Sequence, residues 1–365
     1  MEMDNILTAN VHDLFMSRAI ELAKQGRGYV SPNPMVGCVL VHDGDIIGEG
    51  YHEEFGGPHA EIMAIRNARK NPVDSTAYIN LEPCCITGKT PPCTTALIEN
   101  GISEVYVGIL DPNPDVNGKG VEALEKAGIM VHVGILEEEA KRLNQSFNKW
   151  ITQGMPWVIA KVAQSADGYM GINSETSIWL TGEVSRAHAH TLRSEVDAVL
   201  IGRQTALIDD PSLTVREVHG ENPKRVIMDT NRTLPLTLKI FNDKKADTYV
   251  LCSDKRFTQT RTHFCNYLPV KEENKKLSPV HALKTLAMEG ISSVLIEGGQ
   301  EILKSFIEAG VIDQIFIYTA PDKLKNAQLK NPIQLSEEWS VLEQENLGED
   351  TLIIAEKGVE CLQEL

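Results

Sequence analysis

The chain has 365 residues, 42% hydrophobic and 24% charged, an ordinary globular balance. At about 100–200 residues per domain, that length predicts two domains, each able to bury a core. A formal net charge of −16 repels phosphate backbones, so no nucleic-acid partner is expected, although a local basic pocket can still take one phosphorylated small molecule.

Taken in chain order, residues 12–25 read as an amphipathic helix, with Phe15, Ala19, Leu22 and Ala23 on one face and Gly26 closing it. Met35–Val41 and Ile46–Tyr51 read as strands of a hairpin around His42-Asp43-Gly44-Asp45. A helix over 59–69 and a strand over 77–81 lead into a Cys/Pro/Gly-rich loop. Helix 94–100, strand 105–109, helix 121–127 and strand 130–133 follow, then a helix over 137–149. Gln153-Gly154-Met155-Pro156 breaks the pattern, and the domain boundary is placed near residue 150. Beyond it, strands are expected at 157–162, 198–201, 225–228, 249–252, 294–296 and 315–319. One helix starts at Ser278-Pro279 and stops at Gly290, another spans 301–309, and 271–276 reads as a charged loop. The alternation predicts α/β sheets with helices on both faces.

Residues 1–10 include Glu2 and Asp4 and lack a basic flank followed by an apolar run, so no secretory signal is expected. No stretch approaches the roughly 18 apolar residues of a membrane span, so no membrane partner is expected. Seven cysteines, an odd number, do not form an obvious disulfide framework. The expected compartment is the cytoplasm, where thiols stay free to hold metal.

The strongest chemical pattern is Pro58-His59-Ala60-Glu61, then Glu82-Pro83-Cys84-Cys85 and Pro91-Pro92-Cys93. His59, Cys84 and Cys93 offer one imidazole and two thiolates, three ligands suited to zinc. A catalytic zinc keeps its fourth position for water, whose pKa falls from about 15.7 toward roughly 7 on binding. That supplies a nucleophile for an electron-poor carbon bearing an amino group, with Glu61 as carrier of the proton to the leaving nitrogen. A spacing of two puts His59 and Glu61 on different sides of a regular helix, so both reach one metal only if His59 sits at the half-helical start. Two other readings stay open at this point: a structural site with Cys85 as fourth ligand, and a zinc-stabilised binding module without turnover. In either, Glu61 would have no task.

The constellation resembles the signature of cytidine-deaminase-like zinc deaminases. The cysteines stand nine apart, where nucleoside and nucleic-acid deaminases usually have Cys-x-x-Cys. With Gly88-Lys89-Thr90 in that loop, the chain resembles the bifunctional riboflavin-biosynthesis deaminase/reductase family. Further stretches carry the likeness: Ser31-Pro32-Asn33-Pro34-Met35-Val36-Gly37, Gly48-Glu49-Gly50-Tyr51-His52, and Asp111-Pro112-Asn113-Pro114. It continues through Ser165-Ala166-Asp167-Gly168, Trp179-Leu180-Thr181, the run from Asp209 to Arg216, and Glu297-Gly298-Gly299.

The resemblance implies a cytidine-deaminase-like α/β/α domain over 1–150 and a dihydrofolate-reductase-like α/β domain over 151–365. The first would deaminate a diaminopyrimidinone ribosylamino phosphate with Zn2+; the second would reduce the ribosyl group to ribityl with NADPH. By resemblance, Asn33, His52, Lys89, Asp111 and Asn113 contact the deaminase substrate. Ala163, Trp179, Thr205, Asp209 and Gly299 contact the nucleotide, and Ser177, Arg193, Leu213, Arg216 and Glu297 contact the reductase substrate. The resemblance also implies a homo-oligomer formed through the reductase half. One departure is local to the zinc loop: the family's Ser-His after the first cysteine is Cys85-Ile86 here. Ile86 cannot donate a hydrogen bond, so altered substrate affinity is expected with zinc chemistry intact. Others are Ala166 before Asp167-Gly168 and Asp322-Lys323-Leu324-Lys325 after Ala320-Pro321.

Overall fold

The computed structural model describes residues 2–86, 91–172, 179–258 and 265–358. The chain divides into two compact units, Met1–Gly154 and Met155–Leu365.

The first unit runs α1 (Glu2–Lys24), β1 (Gly37–His42), β2 (Asp45–Tyr51), α2 (Ala60–Arg66), β3 (Thr76–Leu81), α3 (Cys93–Glu99), β4 (Glu104–Ile109), α4 (Lys119–Lys126), β5 (Met130–Val133), α5 (Glu137–Leu143) and α6 (Gln145–Gln153). Its sheet has the order β2-β1-β3-β4-β5, with β3, β4 and β5 parallel and β1 antiparallel to both neighbours. Strand alternation divides the core in two. Val39, Val41, Tyr78 and Tyr106 pack under α1 and α5, whereas Leu40, Ala77, Ile79 and Val107 pack under α2, α3 and α4. Full burial of side chains such as Leu40, Ile79 and Leu97 stabilises the unit by about 1.5–3 kcal/mol each.

Two helices differ from expectation. α1 begins at Glu2, because no proline or glycine interrupts residues 2–25. The single helix expected over 137–149 is two, broken at Asn144. That side chain is buried and turned onto the loop before β1: Oδ1 accepts from the Met35 N–H at 2.8 Å and Nδ2 donates to the Met35 carbonyl at 2.9 Å. The break therefore clamps α6 against the loop carrying Asn33.

The second unit runs β6 (Trp157–Gln164), β7 (Tyr169–Gly171), α7 (Glu183–Ser194), β8 (Ala198–Gly202), α8 (Arg203–Asp209), β9 (Lys224–Met228), α9 (Lys239–Asn242), β10 (Thr248–Ser253), β11 (Asn266–Val270), β12 (Glu272–Glu273), β13 (Lys276–Leu277), α10 (Pro279–Met288), β14 (Ser293–Glu297), α11 (Gln300–Glu308), β15 (Gln314–Thr319), β16 (Leu329–Lys330), β17 (Trp339–Leu347) and β18 (Asp350–Lys357). Nine strands form one sheet in the order β11-β10-β9-β8-β14-β6-β15-β18-β17. The first seven are parallel and the last two form an antiparallel hairpin. α10 and α11 cover one face; α7, α8 and α9 cover the other.

The charged stretch 271–276, expected as a loop, forms most of the hairpin β12–β13, which ends at Leu277. Asn274 and Lys275 both have positive φ, at 50° and 63°, the conformation a two-residue hairpin turn needs. Its charges concealed a turn signal.

Candidate active sites

In the first unit, strand and helix ends bring the chemistry together. β3 delivers the loop with Cys84, α3 begins at Cys93, and His59 is the extended residue (φ −75°, ψ 162°) just ahead of α2. Because His59 lies outside the helix proper, its ring and the Glu61 carboxyl both line one cleft. The His59 Nδ1, Cys84 Sγ and Cys93 Sγ atoms lie within 4.8 Å of one another, and Cys85 is not part of that cluster. His59 Nδ1 stands 3.2 Å from Cys93 Sγ and 3.5 Å from Cys84 Sγ. A tetrahedral zinc with bonds of about 2.0–2.3 Å would place such nitrogen and sulfur atoms roughly 3.5 Å apart. The donor set fits zinc in chemistry and in size.

Electrostatics at the cluster suit a cation. The Cys84 thiol is pushed down to about 4, first by the Cys93 side chain, then by His59 and the Cys93 N–H, which outweigh burial. The Cys93 N–H donates to Cys84 Sγ at 3.4 Å. Cys93 moves the other way, because its thiol donates to Cys84 and is buried. The metal-free pair thus shares one proton, which a bound metal displaces. Glu61 is 2% exposed, and its Oε2 has no hydrogen-bond partner among the described residues. Burial, then the neighbouring Cys84 thiolate, raises its pKa. A buried carboxyl oxygen without a partner costs stability unless something else occupies it.

The cleft, about 340 Å³ in all, is lined also by Asn33, His52, Asp111 and Asn113 together with Phe55 and Phe147. His52 Nδ1 lies 3.0 Å from the Pro58 carbonyl, so it carries the proton and Nε2 accepts from Asn33 Nδ2 at 3.1 Å. Burial lowers the His52 pKa, which keeps the ring neutral and Asn33 oriented. Asp111 is pushed up to about 6, chiefly by burial. Its Oδ1 accepts from the Asn113 N–H at 2.8 Å. Ile86 stands at the rim, 44% exposed. Lys89 lies outside the described residues.

Glu82, marked in the sequence only by its place beside Pro83-Cys84, organises the site. Its buried carboxylate accepts four backbone N–H groups: Asp111 (3.0 Å) and Gly118 (2.8 Å) at Oε2, Gly120 (2.8 Å) and Val121 (3.1 Å) at Oε1. The zinc loop, the Asp111 loop and the start of α4 are therefore tied together. A Cβ at Gly120 would collide with the Pro83 carbonyl, so only glycine permits this approach.

In the second unit a cavity of about 180 Å³ is lined by Lys161, Ala163, Trp179, Arg193, Arg216 and Tyr318, among others. Arg193 meets Glu297 in a bidentate pair, Nη2 to Oε2 at 2.7 Å with Nε on Oε1, and the two side chains are only 14% and 9% exposed. Against burial, Arg193 and then Lys161 hold Glu297 down to about 2. Arg216 makes a weaker contact, 3.4 Å to Thr214 Oγ1, and its N–H donates to His190 Nδ1 at 3.3 Å. Thr205 lies in α8 beside the Gly298-Gly299 turn, and Asp209 ends that helix. Leu213 is buried in the core with a left-handed backbone (φ 51°), so what it can offer a ligand is its backbone. Ser177 lies outside the described residues.

Sequence reasoning missed Lys161, whose partner in sheet register is Glu297. Burial, then Arg193, lowers its pKa, and its Nζ stands 5.7 Å from the Tyr318 ring centre. One signal was available: a lone lysine within the apolar run Trp157–Val162, where charge is rarely placed without a use.

Both units match known families. Residues 9–109 match the family described as cytidine and deoxycytidylate deaminase zinc-binding region, and residues 156–351 match the RibD C-terminal domain. The chain is 42% identical to the riboflavin biosynthesis protein RibD of Aquifex aeolicus over 93% of this chain and 96% of that one. It is 37% identical to the Haemophilus influenzae RibD over 95% and 98%. Its fold is similar to a solved diaminohydroxyphosphoribosylaminopyrimidine deaminase/5-amino-6-(5-phosphoribosylamino)uracil reductase of Thermotoga maritima, with a TM-score of 0.85, 35% identity, and 96% and 100% of the chains covered. Acinetobacter baumannii RibD gives a TM-score of 0.86 at 36% identity, covering 96% and 100%.

Proposed function

This chain belongs to the RibD family of bifunctional riboflavin-biosynthesis enzymes, and from that premise we propose how its own residues divide the two reactions. The enzyme is a zinc-dependent deaminase and an NADPH-dependent reductase. It deaminates 2,5-diamino-6-ribosylamino-4(3H)-pyrimidinone 5′-phosphate and then reduces the ribosyl side chain to ribityl. Among the described residues no helix is long and apolar enough to cross a membrane.

In the deaminase unit His59, Cys84 and Cys93 would hold the zinc, which when bound would supply a water acidified toward neutrality. Glu61, through Oε2, is placed to hold a proton and hand it to the leaving amino nitrogen. The observation that carries this reading is the buried Glu61 Oε2, otherwise without a partner, beside three convergent metal donors. Asn33, locked by neutral His52, presents its remaining amide groups to the pyrimidinone, while Asp111 and Asn113 supply further polar contacts. Lys89 is assigned to this substrate by family likeness. Replacing Glu61 by glutamine should leave one zinc per chain and lower ammonia release by about 10²–10⁴-fold. A variant that released ammonia at the normal rate would refute the assignment; a zinc-stabilised binding module predicts no turnover in either form.

In the reductase unit NADPH supplies hydride for C1′ of the opened sugar. Ala163, Trp179, Thr205, Asp209 and Gly299 hold the nucleotide so that hydride and carbon meet. Leu213 and Lys161 contact the substrate, and Ser177 is assigned to it by family likeness. The substrate phosphate falls chiefly to Arg216, because the Arg193 charge is already matched by Glu297. Glu297 holds Arg193 and Lys161 in place. We assign the enzyme to the cytoplasm, where the cysteines stay reduced, and to a homo-oligomer formed through this unit. The exposed edge strand β17, with Val341 and Leu342 in solvent, supports such association; sedimentation of the chain that shows only monomer would refute it.

A further inference from the structure

His190 lines the reductase cavity together with Arg193 and Arg216. It sits on α7 three residues ahead of Arg193, a spacing that puts both on one stretch of helix surface. The residue is 5% exposed, so each ring nitrogen needs a partner or a use. Nδ1 accepts from the Arg216 N–H at 3.3 Å. It therefore carries no proton, and the proton of the neutral ring sits on Nε2. That N–H has no hydrogen-bond acceptor among the described residues, because Glu217 Oε1 stands 4.0 Å away, beyond reach. Burial, then Arg193 and Arg216, lower the His190 pKa against the pull of Glu217 and Glu297, which keeps the ring neutral.

A buried donor without an acceptor costs stability, and a ligand oxygen placed there removes the cost. The groups around Nε2 select the charge of that ligand. Glu297 is committed to Arg193 in a bidentate pair. Arg216 donates from Nη1 to Thr214 Oγ1 at 3.4 Å, which leaves most of its five-donor fork unused. The Arg216 fork and the His190 Nε2–H are thus two sets of open donors, tied together by the bond from the Arg216 N–H to Nδ1. An anionic oxygen, which only accepts, satisfies both; a sugar hydroxyl would bring a donor of its own. A neutral imidazole supplies its donor without adding a further charge beside Lys161, Arg193 and Arg216. Protonation of Nδ1 would expel the Arg216 N–H, so the neutral ring is the form that serves at both ends.

We propose that His190 is a further specificity-determining residue of the reductase: its Nε2–H donates to the 5′-phosphate of the pyrimidine substrate, while its Nδ1 seats Arg216 on the same group. The proposal rests on the reductase reading given above. The full chain is assayed by NADPH oxidation with the deaminated substrate, supplied with and without its 5′-phosphate. Asparagine keeps an acceptor near the Nδ1 position and does not reach the Nε2 position; glutamine carries a donor that far. His190→Asn should raise KM for the phosphorylated substrate about tenfold with kcat changed much less, and leave KM for the phosphate-free substrate within about twofold. His190→Gln should return KM to within about threefold of the unmodified chain. NADPH affinity, titrated calorimetrically without pyrimidine, should stay within about twofold in both variants, which also shows the cavity folded. An unchanged KM in His190→Asn, an equal loss with the phosphate-free substrate, or a parallel loss of NADPH affinity would each overturn the proposal. So would a fall in kcat at steady KM, which would make His190 a proton donor to the sugar. Those outcomes leave the reductase reading standing. If the unmodified chain oxidises NADPH with neither substrate, that reading fails and takes the proposal with it.

Discussion

The two sites are electrostatic opposites on similar scaffolds. The deaminase cleft gathers Cys84, Glu61 and Asp111, and no lysine or arginine lines it among the described residues. The reductase cavity gathers Lys161, Arg186, Arg193 and Arg216, with Glu297 buried beside them. A net charge of −16 conceals this division, because the described lining of the first site offers soft and acidic donors to a dication, whereas that of the second offers cations to a phosphate. What each site binds is decided by charge placed locally against the field of the whole chain.

Removing the cation's seat should break the comparison most strongly. Cys84→Ser is expected to reduce bound zinc to a small fraction and ammonia release by roughly 10³-fold, while reduction of the deaminated substrate proceeds normally. Metal analysis and separate ammonia and NADPH assays read the two halves; loss of both activities would show that the units do not work independently.

The next largest effect is expected at Glu297. Glu297→Gln strands the buried Arg193 charge and should cost the second unit about 3–5 kcal/mol, read from urea unfolding. The pH dependences should also oppose each other. Glu297 sits at about 2 against an ordinary 4.5, so its stabilisation is fully present above pH 4.5 and is lost as pH falls toward 2. Asp111 sits at about 6 against 3.8, so metal-free deaminase unit is most stable below pH 3.8 in this respect and loses stability as pH rises through 6. Each effect is on the order of 3 kcal/mol. Asp111→Asn and Glu297→Gln should each abolish one slope and leave the other; slopes of the same sign would contradict this account.

Arg216→Ala should raise KM for the phosphorylated substrate in reduction by roughly 10–30-fold, with kcat changed much less and deamination untouched. Ile86→His should have the smallest effect, lowering the deaminase KM by about fivefold at unchanged zinc content. An unchanged KM would mean that the rim at Ile86 does not touch substrate.

Short-range chemistry was legible in the chain and long-range chemistry was not. His59, Glu61, Cys84 and Cys93 occupy 35 consecutive positions, and proline, glycine and apolar runs around them announce the strand-loop-helix ends that present them. Glu82 carries no such announcement. Its four backbone donors come from residues 111–121, brought over only when β3 and β4 pair. Asn144 looks like ordinary helix surface until the loop at Met35 meets it.

Residue order by itself determined two α/β units, the period of their strands and helices, and a set of soft and acidic donors spaced for zinc. Those features depend on contacts within a few residues or on the identity of side chains. Tertiary structure decided which charge faces which. Lys161 and Glu297 stand 136 positions apart and become neighbours through the register of β6 with β14, and Arg193 reaches them from a helix on the sheet's other layer. Pairing of that kind minimises the cost of burying charge across the whole sheet, and no local pattern encodes it.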